Sequence, residues 1–573
     1  MLLRAARSIG LVLVLALLCA PWVNVPADNA DSAGMQAHLY SLFEARDLLY
    51  DDDYAALGMS PLFAFVTERG VVSNHWPAGA SFVQLPGWWL GRVAGESLVG
   101  EGVSARAAVW TIPLLGVRCW ALLVWVWLGA RVFGWLRRRV ERGTAALASA
   151  ALLLGTPALA YASEYPVRPH LWGAVFVALA LMRWWDAVEH AREDPERAAA
   201  RWERALELAA YVGLATAIRP QLAPLALLVA HERIYAAREL DLGGRLRTIL
   251  GHGLVSAGVF ALWPALVVRM QLWMYGNLGD YAAGGELSHH LRAFLLSTHH
   301  GALLWCPVLV LGVLGLAIGA AERQPGALLL LGLMLLQVWL DAGTREIEPY
   351  HVLGTRTWTG GTSFGPRKLL DAIPLMLPGV VWLSTWLAGQ EPLEASRWRR
   401  RLAAASSLAL VPTLLLLAAA FIDHRTCSLI LDPEHYLIAL GLAFDPSAWS
   451  LAWAQRSLPS HVVLRVALVA GLPLAMGVVA TLRARGKDEP RSLAGPLSWR
   501  RRAAASGFVV YGVIAHLWLS QLQANSATRL AAEPQRMQRA AAQLNPWHEA
   551  VIAQIPAHHE ELREHLGPEA APP

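Results

Sequence analysis

Charge is what this sequence has least of. Asp, Glu, Lys and Arg make up 16% of the chain, and 55% is hydrophobic. A soluble protein carries about 25% charge, so this chain lacks the polar residues to cover a globule in water. Its mean hydropathy of +0.39 agrees. Lysine is nearly absent, with Lys368 and Lys487 its representatives, so arginine carries the positive charge. The net charge is +5, but no basic domain and no aromatic–basic interleaving is present, which argues against a nucleic-acid partner. Cysteine is scarce too. Cys19, Cys119 and Cys306 fall in apolar runs, and with Cys427 they form no CxxC or Cys/His spacing for zinc. A structural disulfide is not expected. No internal repeat is visible.

What is present in quantity is apolar runs and tryptophan. The 26 Trp exceed ordinary usage and suit a membrane–water interface, where an amphipathic ring fits both media. Apolar runs near 8–26, 107–132, 144–161, 170–189, 206–219, 221–236, 250–269, 302–320, 326–342, 369–388, 402–422, 462–482 and 503–522 read as about thirteen spans of an all-α polytopic membrane protein. The first, with Arg4 and Arg7 before it, has the form of a signal peptide, but the many later spans favour a retained helix. Ala78–Ala94, with Pro86 and two Trp, reads as interfacial or partly inserted.

Arginine sets the orientation. Arg137–Arg139, Arg192/Arg197/Arg201/Arg204, Arg399–Arg401, Arg483/Arg485/Lys487 and Arg500–Arg502 fall on one side, which the positive-inside rule makes cytoplasmic. The N-terminus is then cytoplasmic and the C-terminal tail outside. The domain reading is a membrane domain over 1–522 and an outer polar helical tail over 523–573. Long loops at 27–106, 270–301, 343–368 and 423–461 share the outer face, where the chemistry is expected. Within the first loop, Met35, Leu39, Leu42, Phe43 and Leu49 give Ala33–Leu49 one apolar face, expected to lie flat on the membrane.

Several polar residues in these loops have the chemistry of a site. Asp28 and Asp31 follow the first span directly, where partial desolvation strengthens a carboxylate as a base. The plainer reading makes Asp31 a helix N-cap in an acidic loop, and Asp51-Asp52-Asp53 a solvated turn. Glu164 ends the third span, with Arg168 and His170 close by in ASEYPVRPH; a carboxylate near the bilayer is a functional candidate. Arg219, before Pro220, interrupts an apolar stretch, either buried against an anion or carbonyl cluster or snorkelling to the interface. In WTGGTSFGPRKLLDAIP, a glycine-rich turn leads Arg367 and Lys368 into a span, an arrangement that suits an anion such as a lipid phosphate. His75 in NHWP and His300 in STHHG are, with His170, offered as substrate contacts. No motif looks like a metal set, and no cofactor signature is present. Whether a divalent cation assists stays open.

The order of these segments carries more than each alone. An acidic first loop, NHWPAG, GTPALAYASE, GLATAIRPQ, STHHGALLWCP and WTGGTSFGPRKL together resemble the GT-C membrane glycosyltransferases over residues 1–390. The likeness is nearest to bacterial glycosyltransferase-39-like proteins, relatives of protein O-mannosyltransferases and lipid A aminoarabinose transferases. The resemblance implies a GT-C-like bundle of about 13 transmembrane helices whose first outer loop carries interfacial helices. It implies a bacterial inner-membrane transferase. This would move sugar from a polyprenyl-phosphate donor to a lipid, glycan or protein acceptor outside the cytoplasm. On that resemblance Asp31, in D-x-x-G, is the catalytic carboxylate, with Asp28 in reserve; Glu164 matches the second acidic residue of the next outer loop, and Arg367, Lys368 and Arg219 hold the carrier phosphate. Met35 and Gln36 depart from the acidic pair or aromatics that such relatives carry there. A lipid or glycan transporter, and a non-catalytic scaffold descended from such an enzyme, are the competing readings.

Overall fold

The computed structural model describes residues 30–57, 65–74, 76–99, 105–163, 165–277, 291–297, 300–343, 366–388 and 497–533, with isolated residues between 412 and 416 and between 535 and 542. Among the described residues the chain is helical, with one isolated antiparallel bridge, Val66–Val72, in the first loop. In order come α1 (Ala30–Tyr40), α2 (Asp51–Leu57), α3 (Gly79–Leu98), α4 (Ala105–Leu136), α5 (Arg142–Leu154), α6 (Ala158–Ser163), α7 (Pro169–Glu193) and α8 (Trp202–Ile218). They are followed by α9 (Ala226–Ala237), α10 (Gly253–Tyr275), α11 (Val308–Ala321), α12 (Ala327–Gly343), α13 (Leu377–Ala388) and α14 (Leu497–Ala532).

Four described segments are long and apolar enough to cross a membrane: Ile112–Leu136, Pro169–Glu193, Leu242–Tyr275 and Arg367–Leu387. Arg142–Leu154, Val308–Ala321 and Ala327–Gly343 are shorter apolar helices. The expected spans near 8–26 and 462–482 lie outside the described residues, as does nearly all of 402–422. Several others are broken where proline intervenes. The run at 221–236 is a 3-10 stretch, Pro220–Leu225, before α9, and 302–320 is divided at Pro307. The last expected span, 503–522, lies inside α14, which continues past the boundary placed at 522/523.

The helices alternate between two ends. At one end Arg139, just beyond α4, pairs with Asp186 (2.7 Å) and Glu189 of α7, while the Trp135 indole donates to Asp186 (2.9 Å). Arg183 of α7 faces Glu207 of α8 there (2.9 Å). This is the arginine-rich end. The first loop packs at the other end, where Thr67 Oγ1 donates to the Met274 carbonyl at the close of α10 (2.8 Å).

Close backbone approach holds helix pairs together. α3 lies along α4, and Gly87 and Gly91 meet Gly116 there. A Cβ on Gly116 would lie 2.2 Å from the Gly87 carbonyl oxygen. Small residues at four-residue spacing let two backbones touch, the usual device between helices in lipid. Gly312 and Gly315 of α11 approach Gly379 of α13 in the same way.

The first loop does not lie flat with an apolar face in lipid. Met35, Ala37, His38 and Leu39 are all fully buried in protein, on every side of α1. The helix expected over Ala33–Leu49 stops early. It widens into a π-turn at Ser41–Ala45, and Arg46 then takes a left-handed conformation (φ 57°). His38 ties the loop together. Its Nε2–H donates to the Trp76 carbonyl (2.7 Å), which leaves Nδ1 to accept from the Tyr50 hydroxyl (2.9 Å). α14 closes the loop from outside. Ser526 Oγ accepts from the Leu48 amide (2.8 Å), Asn525 donates to the Arg46 carbonyl (2.8 Å), and Arg529 pairs with buried Asp47.

Two outcomes follow. Gly116→Ala should destabilise the protein by about 1–3 kcal/mol, because rigid backbone meets the new methyl. Gly258→Ala in α10, where nothing lies within 4 Å, should be neutral or slightly stabilising. Unfolding in detergent compares them. The second outcome concerns Asp53, which is fully buried in α2. Burial pushes its carboxyl well above the usual carboxylate range, helped by Asp52, Asp47 and Asp51 and opposed by a hydrogen bond from Ser41. The folded loop therefore retains a proton that the unfolded chain releases. Its contribution is full below the unfolded pKa and is lost as pH rises through the folded one. Hydrogen-exchange protection of loop amides, corrected for intrinsic rate, should fall with rising pH from about pH 4, and Asp53→Asn should abolish that slope.

Candidate functional site

The site is built by two interruptions in the helical run. α8 stops at Ile218 because Arg219 precedes Pro220, and a residue before proline is steered out of the α conformation. Arg219 is accordingly extended (φ −142°, ψ 107°), and its side chain turns into the bundle, 6% exposed. Opposite it, Arg367–Met376 winds as a 3-10 helix before α13 and brings Asp371 inward, fully buried. Glycine at 173 in α7 makes room, since a Cβ there would lie 2.6 Å from Asp371 Oδ1.

Arg219 is the centre of the group. Its Nη1 pairs with Asp371, donates to the Lys368 carbonyl (2.8 Å) and donates to His170 Nδ1 (2.9 Å). Two hydrogens serve three acceptors, so one is shared. Its Nη2 faces Asp341 at the end of α12 (3.8 Å). A guanidinium can only donate, so His170 Nδ1 is the acceptor and Nε2 carries the imidazole proton. Tyr161 meets the His170 ring edge-on (5.4 Å between centroids), and the Arg168 guanidinium lies over the Tyr165 ring (4.5 Å).

Charge is concentrated at this group. Arg219, Arg367, Arg168 and Lys368 all act on His170, whereas Asp371 and Asp341 are the carboxylates facing Arg219. Cationic and acidic side chains therefore converge at this end. Asp371 and Asp341 keep Arg219 paired inside protein, and Arg367, half-buried, stands closest to the surface.

The expected residues divide accordingly. The structure brings together His170, Arg219 and Lys368, with Arg367 adjoining. Lys368 is buried (8% exposed) and lies near Asp341, rather than extending toward headgroups. Arg219 is a buried ion-paired residue and not a snorkelling one. His300 is buried beside Trp305 (5.6 Å between centroids). Asp28, His75 and Glu164 lie outside the described residues, although Tyr165, next to Glu164, is buried beside this group. Asp31 falls in the first turn of α1, with its side chain outside the described set.

The D-x-x-G spacing acquires a physical reason. A Cβ at residue 34 would lie 2.0 Å from the Trp76 ring, and the Gly34 carbonyl accepts from the Asn74 amide (3.0 Å). Trp76, Met35 and Leu39 share an apolar cluster with Trp88 and Val167, the residue before Arg168. Gln84 of α3 donates to the Val167 carbonyl (2.9 Å). The first loop therefore packs onto the segment that leads to His170.

Sequence reasoning missed Asp341 and Asp371. Each is a lone carboxylate within or at the end of an apolar run, and in a membrane protein that alone marks a functional candidate. Among the described residues no group of three or more His, Cys, Asp or Glu side chains is arranged to hold a metal ion.

No protein-family model matches the sequence, and no curated protein matches it. Among solved structures, the archaeal oligosaccharyltransferase AglB from Archaeoglobus fulgidus, in complex with an inhibitory peptide and a dolichol-phosphate, is similar at 12% identity and a TM-score of 0.34. The alignment covers 79% of this chain and 56% of that one, so this chain spans little more than half the length of that protein. At that TM-score the superposition does not define a shared fold.

Asp371→Ala should cost about 3–5 kcal/mol, because it leaves the Arg219 charge buried with its strongest partner gone. Arg219→Met combined with Asp371→Leu should recover most of that loss, since both charges leave together. Thermal unfolding of the three variants in one detergent measures it.

Proposed function

We propose that the chain is a membrane glycosyltransferase. It moves a sugar from a polyprenyl-phosphate donor to a lipid, glycan or protein acceptor at the end opposite the arginine-rich one. The observation that carries this reading is the convergence of Arg219, His170, Lys368 and Arg367 on one junction, directly under the first loop. By the positive-inside rule that end is non-cytoplasmic, and a bacterial inner membrane with a cytoplasmic N-terminus and an outer C-terminal tail fits it.

The chemistry assigned to the residues is an inverting transfer. Asp31 takes the proton of the acceptor hydroxyl, whose oxygen attacks the anomeric carbon. The bond from that carbon to the phosphate oxygen breaks, and polyprenyl phosphate leaves with the electron pair. Arg367 and Lys368 stabilise the charge that develops on it. Asp28 is the alternative base, Glu164 a second carboxylate from the next outer loop, and His75, His170 and His300 the proposed substrate contacts. Arg219 serves the phosphate by holding His170 Nε2–H and the Lys368 backbone in place. The stacking of Trp76 on Gly34 supports a fixed position for the first turn of α1, which a general base needs.

A transporter is favoured by one observation: two interrupted helices meet at a buried charged group, as in carriers with broken spans. The two readings differ in whether a bond is cleaved. Purified protein given a polyprenyl-phosphate-linked sugar should release polyprenyl phosphate. Asp31→Asn should lower that turnover by about 10²–10⁴-fold while the protein stays folded. Unchanged turnover in the variant would remove Asp31 from its role. Movement of the intact lipid-linked sugar across reconstituted vesicles, without cleavage, would establish the transporter.

A further inference from the structure

The arginine-rich end holds a second polar group, at the opposite end of the bundle from the residues of the proposed transfer. Glu232 and Arg233 of α9 are both buried, 3% and 2% exposed. Arg233 spends Nε and Nη2 on the two oxygens of Glu232. Its Nη1 is buried and has no hydrogen-bond partner among the described residues, and the same is true of His252 Nδ1. Arg233, Arg247 and Glu232 all lie within electrostatic reach of His252. Trp202, 45% exposed at the start of α8, stacks on the His252 ring (6.4 Å, 26°).

The backbone is unusual here as well. Arg247–His252 forms a π-helical turn that leads into α10. Such turns are concentrated at functional sites, because the widened turn re-aims side chains. Nothing lies within 4 Å of a Cβ built on Gly251, Gly253 or Gly258, and Leu250, Leu254 and Val255 beside them are exposed. Of the apolar window in Leu242–Tyr275, 28% is buried among the described residues, so most of its surface is left uncovered by them.

We propose that this corner binds the phosphodiester headgroup of an anionic phospholipid. The phosphate lies against Arg247, His252 and Arg233, Trp202 sits at headgroup level, and the acyl chains run along Leu250, Leu254 and Val255. The charges decide between lipids. Glu232 is fully engaged by Arg233, Asp241 accepts from the Gly244 amide, and Arg245 is tied to the carbonyls of Leu240 and Arg238. That leaves exposed Arg247, with the buried Nη1 of Arg233 and Nδ1 of His252 behind it, to face an anion. An exposed arginine alone would be an ordinary basic surface. The orphaned buried Arg233 Nη1 and His252 Nδ1, next to the exposed Leu250, Leu254 and Val255, are what mark a shaped site.

Native mass spectrometry of the protein released from detergent tests this, with phosphatidylglycerol and phosphatidylcholine supplied in equal amounts. Phosphatidylglycerol should be retained at least about tenfold better, the worth of one hydrogen bond to a charged group. Arg247→Gln and His252→Leu leave the Glu232–Arg233 pair intact, and each should remove most of that preference. Arg142→Gln, an exposed arginine in the first turn of α5, should not. Equal retention of the two lipids overturns an anion-selective site, and equal loss in Arg142→Gln overturns it in favour of general surface attraction. Displacement of the lipid by millimolar inorganic phosphate overturns the lipid as occupant. None of these readouts depends on transferase activity.

Discussion

An arginine taken out of water and lipid must find its partners inside the protein, and the end of the bundle around Arg219 is arranged to meet that demand. Arg219 reaches α7 through His170, the 3-10 stretch before α13 through Asp371 and the Lys368 carbonyl, and α12 through Asp341. Losing one partner from such a group is expensive, because the remaining charge has no solvent to return to. The same contacts explain why the two helices that meet there are broken. A regular helix at Pro220 or at Arg367 would carry Arg219 or Asp371 away from the junction.

The first loop depends on this end in turn. Val167 joins the apolar cluster of Met35, Leu39 and Trp76, so the ordering of Tyr165–His170 by the charged group also seats α1. Gly34 lets the Trp76 ring lie on the helix, and His38 ties Tyr50 to the Trp76 backbone. A loop placed on a membrane surface by amphipathicity alone could slide. This one is bracketed by specific hydrogen bonds on one side and by α14 on the other.

Much of the bundle was legible in the sequence, because apolar length and arginine placement are strong signals. The helices at 107–132, 170–189 and 250–269 lie where the apolar runs put them, and Arg139 and Asp186 mark the arginine-rich end. The breaks at Pro220 and Pro307 were written in proline but hidden within apolar runs long enough to read as unbroken spans. The site was half legible. Arg219, His170 and Lys368 stood out as polar residues in apolar surroundings, yet their mutual contacts are separated by 49 and 149 residues. Asp371 and Asp341 escaped notice because each follows leucines in a run counted as a span. The burial of α1 was not legible at all. Its apolar face suits lipid or protein equally, and the partners that decide the matter, Trp76, Trp88 and Val167, lie tens of residues away.

The hold of α14 on the first loop has a consequence for how the protein is made. Leu48 hydrogen-bonds to Ser526 across 478 residues of chain. At roughly 5–20 residues per second of synthesis, the loop emerges on the order of half a minute or more before the helix that fastens it exists. During that interval Asp47, buried in the finished protein, has no Arg529 to pair with, and the Leu48 amide has no serine. The loop can therefore pack onto the earlier helices, but its contacts at Arg46, Asp47 and Leu48 close only after α14 has been made.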